Sequence, residues 1–290
     1  MSISKVQTPH QFDQRPVRPG ELLQTILLYA VLSVVALMVI LPLLFALSLS
    51  LQGQTLSPTL LPDFSNLDWG SFSAVFVQEP NLTRWIVNSF VVALTVTLGQ
   101  LITSSLAAYA LATMNFPGKI FFFFFFLGTL MIPWESTIIP NYLAVTRLGW
   151  KDSYQGLIAP FLAGGFGIFL LRQYFLTIPR DLYEAAVLDG CGYGRYLWSI
   201  LLPLSRPALA TLAVYTFLNT WNQYYWPLLI VDNPEWRTTQ IGITAFRSSE
   251  VTVYNLQMAS TIIVMLPTLI LLVLGQRQLV RGLTAGALKG

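Results

Sequence analysis

Long apolar runs alternate with short polar intervals along almost the whole chain. The first run extends from about Leu22 to Leu49. A bilayer needs about 20 apolar residues in a helix, so this run is long enough to cross one. It is too long for a signal-peptide core and ends without a small-residue cleavage site. Further runs cover Trp85 to Met114, Ile120 to about Val145, Tyr154 to Phe175, Pro207 to Val231 and Ala259 to Leu274. The pattern predicts an all-α, polytopic membrane protein with about six transmembrane helices. Residues 1–20 hold Lys5, Arg15, Arg18 and three prolines and read as a disordered tail. The transmembrane body is expected over 21–283, with a short tail at 284–290. Polar loops fall at 50–83, 115–119, 146–153, about 177–206 and 232–258. Pro42 is expected to kink the first span.

Composition supports this class and removes others. The 290 residues are 54% hydrophobic and 10% charged, with mean hydropathy +0.62. Soluble domains carry about 25% charged residues. The net charge of +3 comes without a basic run or face, which argues against nucleic-acid binding. Cys191 is the only cysteine and His10 the only histidine, so an internal disulfide, a histidine triad and a His/Cys metal site are excluded. The Gly118-Lys119 pair continues into Ile120 and lacks the upstream glycine of a Walker loop. If ATP drives this protein, another chain hydrolyses it. The cluster Gly164-Gly165-Phe166-Gly167 has no strand before it or phosphate-binding lysine after it, and reads as packing glycine.

Polar residues inside the runs are the candidates for a solute path. The second span carries Asn88, Ser89, Thr95, Thr97, Gln100, Thr103, Ser104 and Ser105, suited to close helix packing with some facing a path. Glu135 lies in the outer half of the third span, between Pro133 and Pro140, either in the pathway or at the membrane boundary. The fifth span concentrates Asn219, Trp221, Asn222, Gln223 and Tyr225 in its outer half. Amides bond hydroxyls and flat rings cover the apolar faces of sugars. An interfacial aromatic belt is the competing reading. The phenylalanines Phe121 to Phe126 read as lipid-facing bulk. Arg237, Thr238, Thr239 and Gln240 are candidates for contact with an external protein.

Basic residues orient the chain. Eleven of the 16 fall in segments placed inside: Lys5, Arg15, Arg18, Lys119, Arg172, Arg180, Arg195, Arg206, Arg277, Arg281 and Lys289. Arg84, Arg147, Lys151, Arg237 and Arg247 fall outside. The bias places both termini and the 177–206 loop in the cytoplasm.

That loop is the most specific stretch of the chain. Asp181 is expected to cap a helix, with Glu184 completing a capping box. Leu182, Ala185, Ala186 and Asp189 follow at helical spacing. Gly190 and Gly192 stop this helix, and Pro203 ends a second one.

The order Glu184-Ala185-Ala186, Gly190, then Ile200, Leu202 and Pro203 resembles the EAA loop of bacterial ABC importer permeases. The stretch from about Asn88 onward, and above all the ending from Gln276 to Gly290, is similar to the MalG-type permeases of carbohydrate importers. Trp221 to Ile230 and Phe169 to Leu176 are similar to the glycerol-3-phosphate permease of that group. The resemblance implies a coupling helix, with Asp181 and Asp189 beside the motif residues, that docks on an ATPase subunit. It implies a second permease subunit (MalF-type), two ATPase subunits and an extracytoplasmic solute-binding protein as partners. It also implies a multi-pass location in the bacterial inner membrane. This chain would bind no cofactor; ATP and magnesium would sit on the ATPase. Alternating access would move a sugar or related polyol. Glycerol-3-phosphate is the alternative solute, although the spans contain almost no cations. A stand-alone ion-coupled transporter would need intramembrane carboxylates, and only Glu135 qualifies. No nucleophile–base set suggests an intramembrane enzyme.

Overall fold

The computed structural model describes residues 19–52, 67–246 and 253–284, and all its regular elements there are helical. Most of the expected tails, part of the first outer loop and Arg247 lie outside the described residues. The first span is α1, Pro19–Ser50, which continues through Pro42 as one helix. Its side chains from Leu22 to Leu44 are largely exposed, and it packs on the last helix of the chain. The first outer interval contains a short helix, α2, Gly70–Gln78.

The centre of the bundle is α3, Leu82–Thr113. Small residues line its inner face: Ser89, Ala93, Ser104, Ser105 and Ala108 are buried. They let neighbouring backbones approach closely where lipid offers no hydrophobic drive between helices. A Cβ on Gly167 would fall 3.0 Å from Ser104 Cβ and 3.1 Å from Leu212 Cδ1, so three helices meet there without room for a methyl group. This is the packing role expected of the glycine cluster.

Three expected spans are broken rather than continuous. The third consists of α4, Lys119–Met131, and α5, Ile138–Arg147, joined through a 3-10 turn at Trp134–Thr137 and bent by 97°. Ile132 and Pro133 are extended, which stops α4, because a proline disfavours helix in the residue before it. Pro140 falls in the first turn of α5, where its missing N–H is harmless. The fourth span consists of α6, Tyr154–Ile158, a 3-10 turn at Ala159–Phe161, and α7, Gly165–Phe175, with a 43° bend.

The polar loop contains α8, Asp181–Leu188, and α9, Tyr193–Tyr196. The latter continues as a π turn at Leu197–Leu201 and into α10, Leu202–Leu204. An 80° bend leads into α11, Arg206–Trp221. The fifth span was expected to run to Val231, but α11 stops at Trp221 and α12, Tyr225–Ile230, restarts after three residues. Pro227 lacks the N–H that would bond back to Gln223, which removes one of the bonds that would carry the helix across the gap. The second outer loop is built from a 3-10 turn at Pro234–Trp236, α13 at Thr239–Gly242 and a 3-10 turn at Ile243–Phe246. The last helix, α14, Tyr254–Thr284, begins before the expected Ala259.

Among the described residues, three helices are long and apolar enough to cross a membrane, within Leu22–Ser50, Leu82–Thr113 and Tyr254–Gln276, and counting each of three bent pairs as one span raises the number to six. Phe121, Phe122, Phe124 and Phe125 stand exposed on α4, as lipid-facing bulk would.

Candidate functional site

The turn that starts α8 begins before Asp181. Arg180 is helical, and its carbonyl accepts from the amides of Tyr183 and Glu184. Arg180 thus takes the N-cap position, Asp181 is the first residue of α8 proper, and the N-cap makes no side-chain cap bond. The expected Asp181–Glu184 capping box is not formed. Both acids instead sit in the first turn, where the helix dipole favours negative charge. The other end follows the expected glycine stop. Gly190 adopts φ +75°, its N–H bonds Val187 O at 3.0 Å, and the Cys191 N–H reaches back to Ala186 O at 2.9 Å. This pair of bonds is the Schellman arrangement, and a glycine meets its left-handed residue without strain.

Only one edge of α8 touches the bundle. Ala186 is buried there, and the Tyr183 ring meets Tyr196 edge-on at 5.0 Å. Tyr196 packs near Tyr109 of α3, whose hydroxyl donates to Tyr193 O at 3.1 Å. Burial, and then a hydrogen bond with Tyr193, push the Tyr183 phenol above its ordinary pKa. Sequence reasoning overlooked this tyrosine cluster; the recurrence of tyrosine at 183, 193 and 196 was its only signal. The remaining surface of α8 is open. Asp181, Glu184, Ala185, Asp189 and Gly190 are exposed, and so are Leu182, Val187 and Leu188, the last at 88%. Ile200 and Leu202 are partly buried against the same core as Ala186, while Pro203 is exposed. The second helix ends at Leu204, one residue past Pro203.

The pathway candidates separate into two groups. Asn88 and Trp221 face protein. Asn88 is buried and donates to the carbonyls of Glu235 and Arg237, both at 2.9 Å, while accepting from the Tyr154 hydroxyl at 2.8 Å. Trp221 is buried, stacks on Phe217 and donates to Val264 O at 3.1 Å. Neither has an open face for a solute. Asn219 on α11 and Asn222 at its C-cap, by contrast, are exposed, and Tyr215, which the sequence had not singled out, is exposed one turn before Asn219. Gln240 joins this group by donating to Asn222 Oδ1 at 3.3 Å. Tyr225 is exposed and Gln223 half-buried beside it. Glu135 is exposed at the sharp turn between α4 and α5.

Two of the residues expected to meet an external protein are not available. Thr238 and Thr239 are buried, and the Thr239 amide donates to Ser89 Oγ at 2.9 Å. Among the described residues, no cluster of three or more His, Cys, Asp or Glu side chains is placed to hold a metal ion.

Residues 108–284 match the family of binding-protein-dependent transport system inner membrane components. The chain belongs to this family and is a multi-pass subunit of a membrane transporter, not an enzyme in its own right. It is 41% identical over 232 residues to UgpE, the sn-glycerol-3-phosphate transport system permease protein of Pectobacterium atrosepticum (78% of this chain and 82% of the relative). It is 42% identical over 200 residues to UgpE of Yersinia enterocolitica (68% and 71%). Its fold is that of ABC importer permeases. It superposes on a chain of a bacterial ABC transporter that imports the acidic polysaccharide alginate with TM-score 0.77 and 23% identity, covering 90% of this chain and 98% of that one. A chain of an alginate transporter in complex with its pentasaccharide-bound periplasmic protein gives TM-score 0.65 at 15% identity, covering 88% and 94%.

Proposed function

We infer that the chain is one permease half of an ATP-driven importer and that α8 is its coupling helix. The observation that carries this is the open surface of α8, apolar at Leu182, Val187 and Leu188 and acidic at Asp181, Glu184 and Asp189. A surface of this kind suits a groove with a basic wall in another protein. The termini and α8 lie on the cytoplasmic side, in keeping with the basic-residue bias. Two ATPase subunits hold ATP and magnesium, a second permease completes the pore, and a binding protein delivers solute from outside. ATPase closure pulls on α8, and the bundle rocks between inward and outward access.

The solute reading rests on this α11 group. Tyr215, Asn219 and Asn222 offer a phenol and two amides, and no charged residue occurs from Pro207 to Val231. Such a group binds hydroxyls, which favours a neutral sugar or polyol. The second reading is glycerol-3-phosphate, favoured by the UgpE relatives. Phosphate recognition would then fall to the partner permease and the binding protein.

ATPase activity of the four-component complex in vesicles, tested with sugars and glycerol phosphates, separates the two readings. Stimulation that requires the binding protein and a neutral sugar supports the first; stimulation by glycerol-3-phosphate alone replaces it with the second. Glu184→Ala tests the coupling role separately. The side chain is exposed, so folding is expected to persist while solute moved per ATP falls at least tenfold. Fully coupled transport in that variant would sink the role given to α8.

A further inference from the structure

Three cations gather at the α8 end of α3. Lys119 donates to Met114 O at 2.8 Å and to Ala112 O at 3.4 Å. Arg172 donates Nε to Leu111 O at 3.3 Å, and its guanidinium lies 3.8 Å from the centre of the Phe123 ring. Arg180 is exposed at the start of α8, and the charges of Arg172 and Arg180 both act on Lys119. The ion pairs among the described residues join Arg84 to Glu235 and Lys151 to Asp232, so none of these three cations has a carboxylate partner. Asp181 and Glu184 follow Arg180 in sequence without pairing to it.

A cavity of about 430 Å³ opens beside this group, between α3 and α8. Thr113, Thr177, Arg180, Tyr183 and Tyr196 line it, together with Ala112, whose carbonyl Lys119 holds. The lining is otherwise largely apolar, the Thr177 hydroxyl donates to Tyr174 O at 2.7 Å and Tyr183 bonds Tyr193, so the Arg180 guanidinium with the Thr113 hydroxyl and the Tyr196 phenol is the donor set that suits phosphate oxygens. Arg180 is the cation that lines the cavity; Lys119 and Arg172, which are partly desolvated, lie beside it, and an anion seated on Arg180 is attracted by their charges as well. The lipid-facing side is also marked. Lys119 begins α4, and Phe121, Phe124 and Phe125 stand exposed along the turns that follow. A cation at the foot of an exposed apolar helix is where headgroups meet acyl chains.

We propose that this cavity seats the phosphate of an anionic phospholipid headgroup, with the acyl chains lying along the exposed phenylalanines of α4. The headgroup would be a wedge between the bundle and α8, so the lipid would set the stance of that helix. Binding itself does not depend on α8 having a coupling role.

The test uses the full chain with its partner subunits in nanodiscs. One set holds phosphatidylcholine alone, one adds phosphatidylglycerol, and one adds soluble inorganic phosphate to phosphatidylcholine. Lipid retained after detergent extraction is read by native mass spectrometry, and thermal stability is read in parallel. Phosphatidylglycerol is expected to be retained and to raise Tm. Arg180→Gln is expected to weaken its apparent affinity about fivefold, the usual effect of one basic residue at an anionic membrane surface. Arg180→Lys should keep most of the affinity, and Arg147→Gln, outside the cavity, should match the wild type. Arg180 is exposed, so these variants fold. Equal retention in wild type and Arg180→Gln would overturn the site. Stabilisation by inorganic phosphate but not by phosphatidylglycerol would overturn the lipid assignment.

Discussion

The two ends of this bundle are held in opposite ways. At the outer end, the Pro234–Gly242 segment is tied to α3 and α6 by bonds that reach across the sequence. Trp85 Nε1 donates to Pro234 O at 2.7 Å, Asn88 holds the carbonyls of Glu235 and Arg237, and Ser89 meets Thr239. Asp152 accepts from the amides of Asp232 and Asn233 at 2.7 and 2.8 Å. At the α8 end, the helix rests on one alanine and an edge of tyrosine rings, and it leaves its apolar residues open. The outer end pairs most of its buried polar groups within the chain, the Thr238 hydroxyl excepted. The α8 end leaves surface that none of the described residues covers. The coupling role proposed for α8 would use this asymmetry: a stiff frame on one side and a lightly attached helix on the other.

The sharpest break of this comparison is Leu188→Glu. Leu188 is 88% exposed, so the chain itself should lose almost nothing, within about 0.5 kcal/mol as for other open surface sites. Assembly with the ATPase should be abolished, read as loss of the co-purified subunit at unchanged Tm. Normal assembly would show that the open face of α8 is not a contact surface.

Asn88→Leu attacks the other end. It leaves the carbonyls of Glu235 and Arg237 and the Tyr154 hydroxyl without their partner. Leaving buried polar groups unpaired costs about 1–3 kcal/mol each, with part recovered by relaxation. We expect a loss of roughly 2–4 kcal/mol and faster hydrogen exchange confined to 234–242. Unchanged exchange there would mean the outer frame does not depend on this hub.

Gly190→Ala tests the end of α8 more gently. The φ of +75° costs an L-residue roughly 1–2 kcal/mol. Exchange should quicken at the amides of Gly190's neighbours, Asp189 and Cys191, and solute moved per ATP should fall severalfold. An unaffected α8 would show that the Schellman turn is dispensable.

What the sequence revealed follows from how local each feature is. The spans were legible because lipid demands long apolar helices that satisfy their own backbone. The Gly190 stop was legible because a left-handed residue is a local demand. The break after Trp221 was hidden because Tyr225 to Ile230 is as apolar as α11 itself, and only Pro227 signals the restart. Asn88 looked like a path residue because its partners lie 147 and 149 positions away. The capping box failed because the turn already starts at Pro179, whose carbonyl accepts from Leu182. The tyrosine cluster was overlooked because Tyr109 and Tyr193 are 84 residues apart.

The smallest expected effect concerns the rim of the outer frame. Lys151 Nζ meets Asp232 Oδ2 at 2.6 Å, and this hydrogen bond, followed by the carboxylate's charge, raises the amine above its ordinary pKa of 10.5. A raised pKa adds stability only while the amine is charged. The contribution is complete below 10.5 and is lost as pH climbs through the higher folded-state value. Exposed pairs contribute little, so the difference in Tm between wild type and Lys151→Gln should be small at pH 8. It should stay constant to about pH 10 and close above 10.5. A difference that instead closed between pH 6 and 8 would mean that some other group titrates there. The frame would then owe that corner to more than the Asp152 carboxylate, which needs no lysine to hold the amides of Asp232 and Asn233.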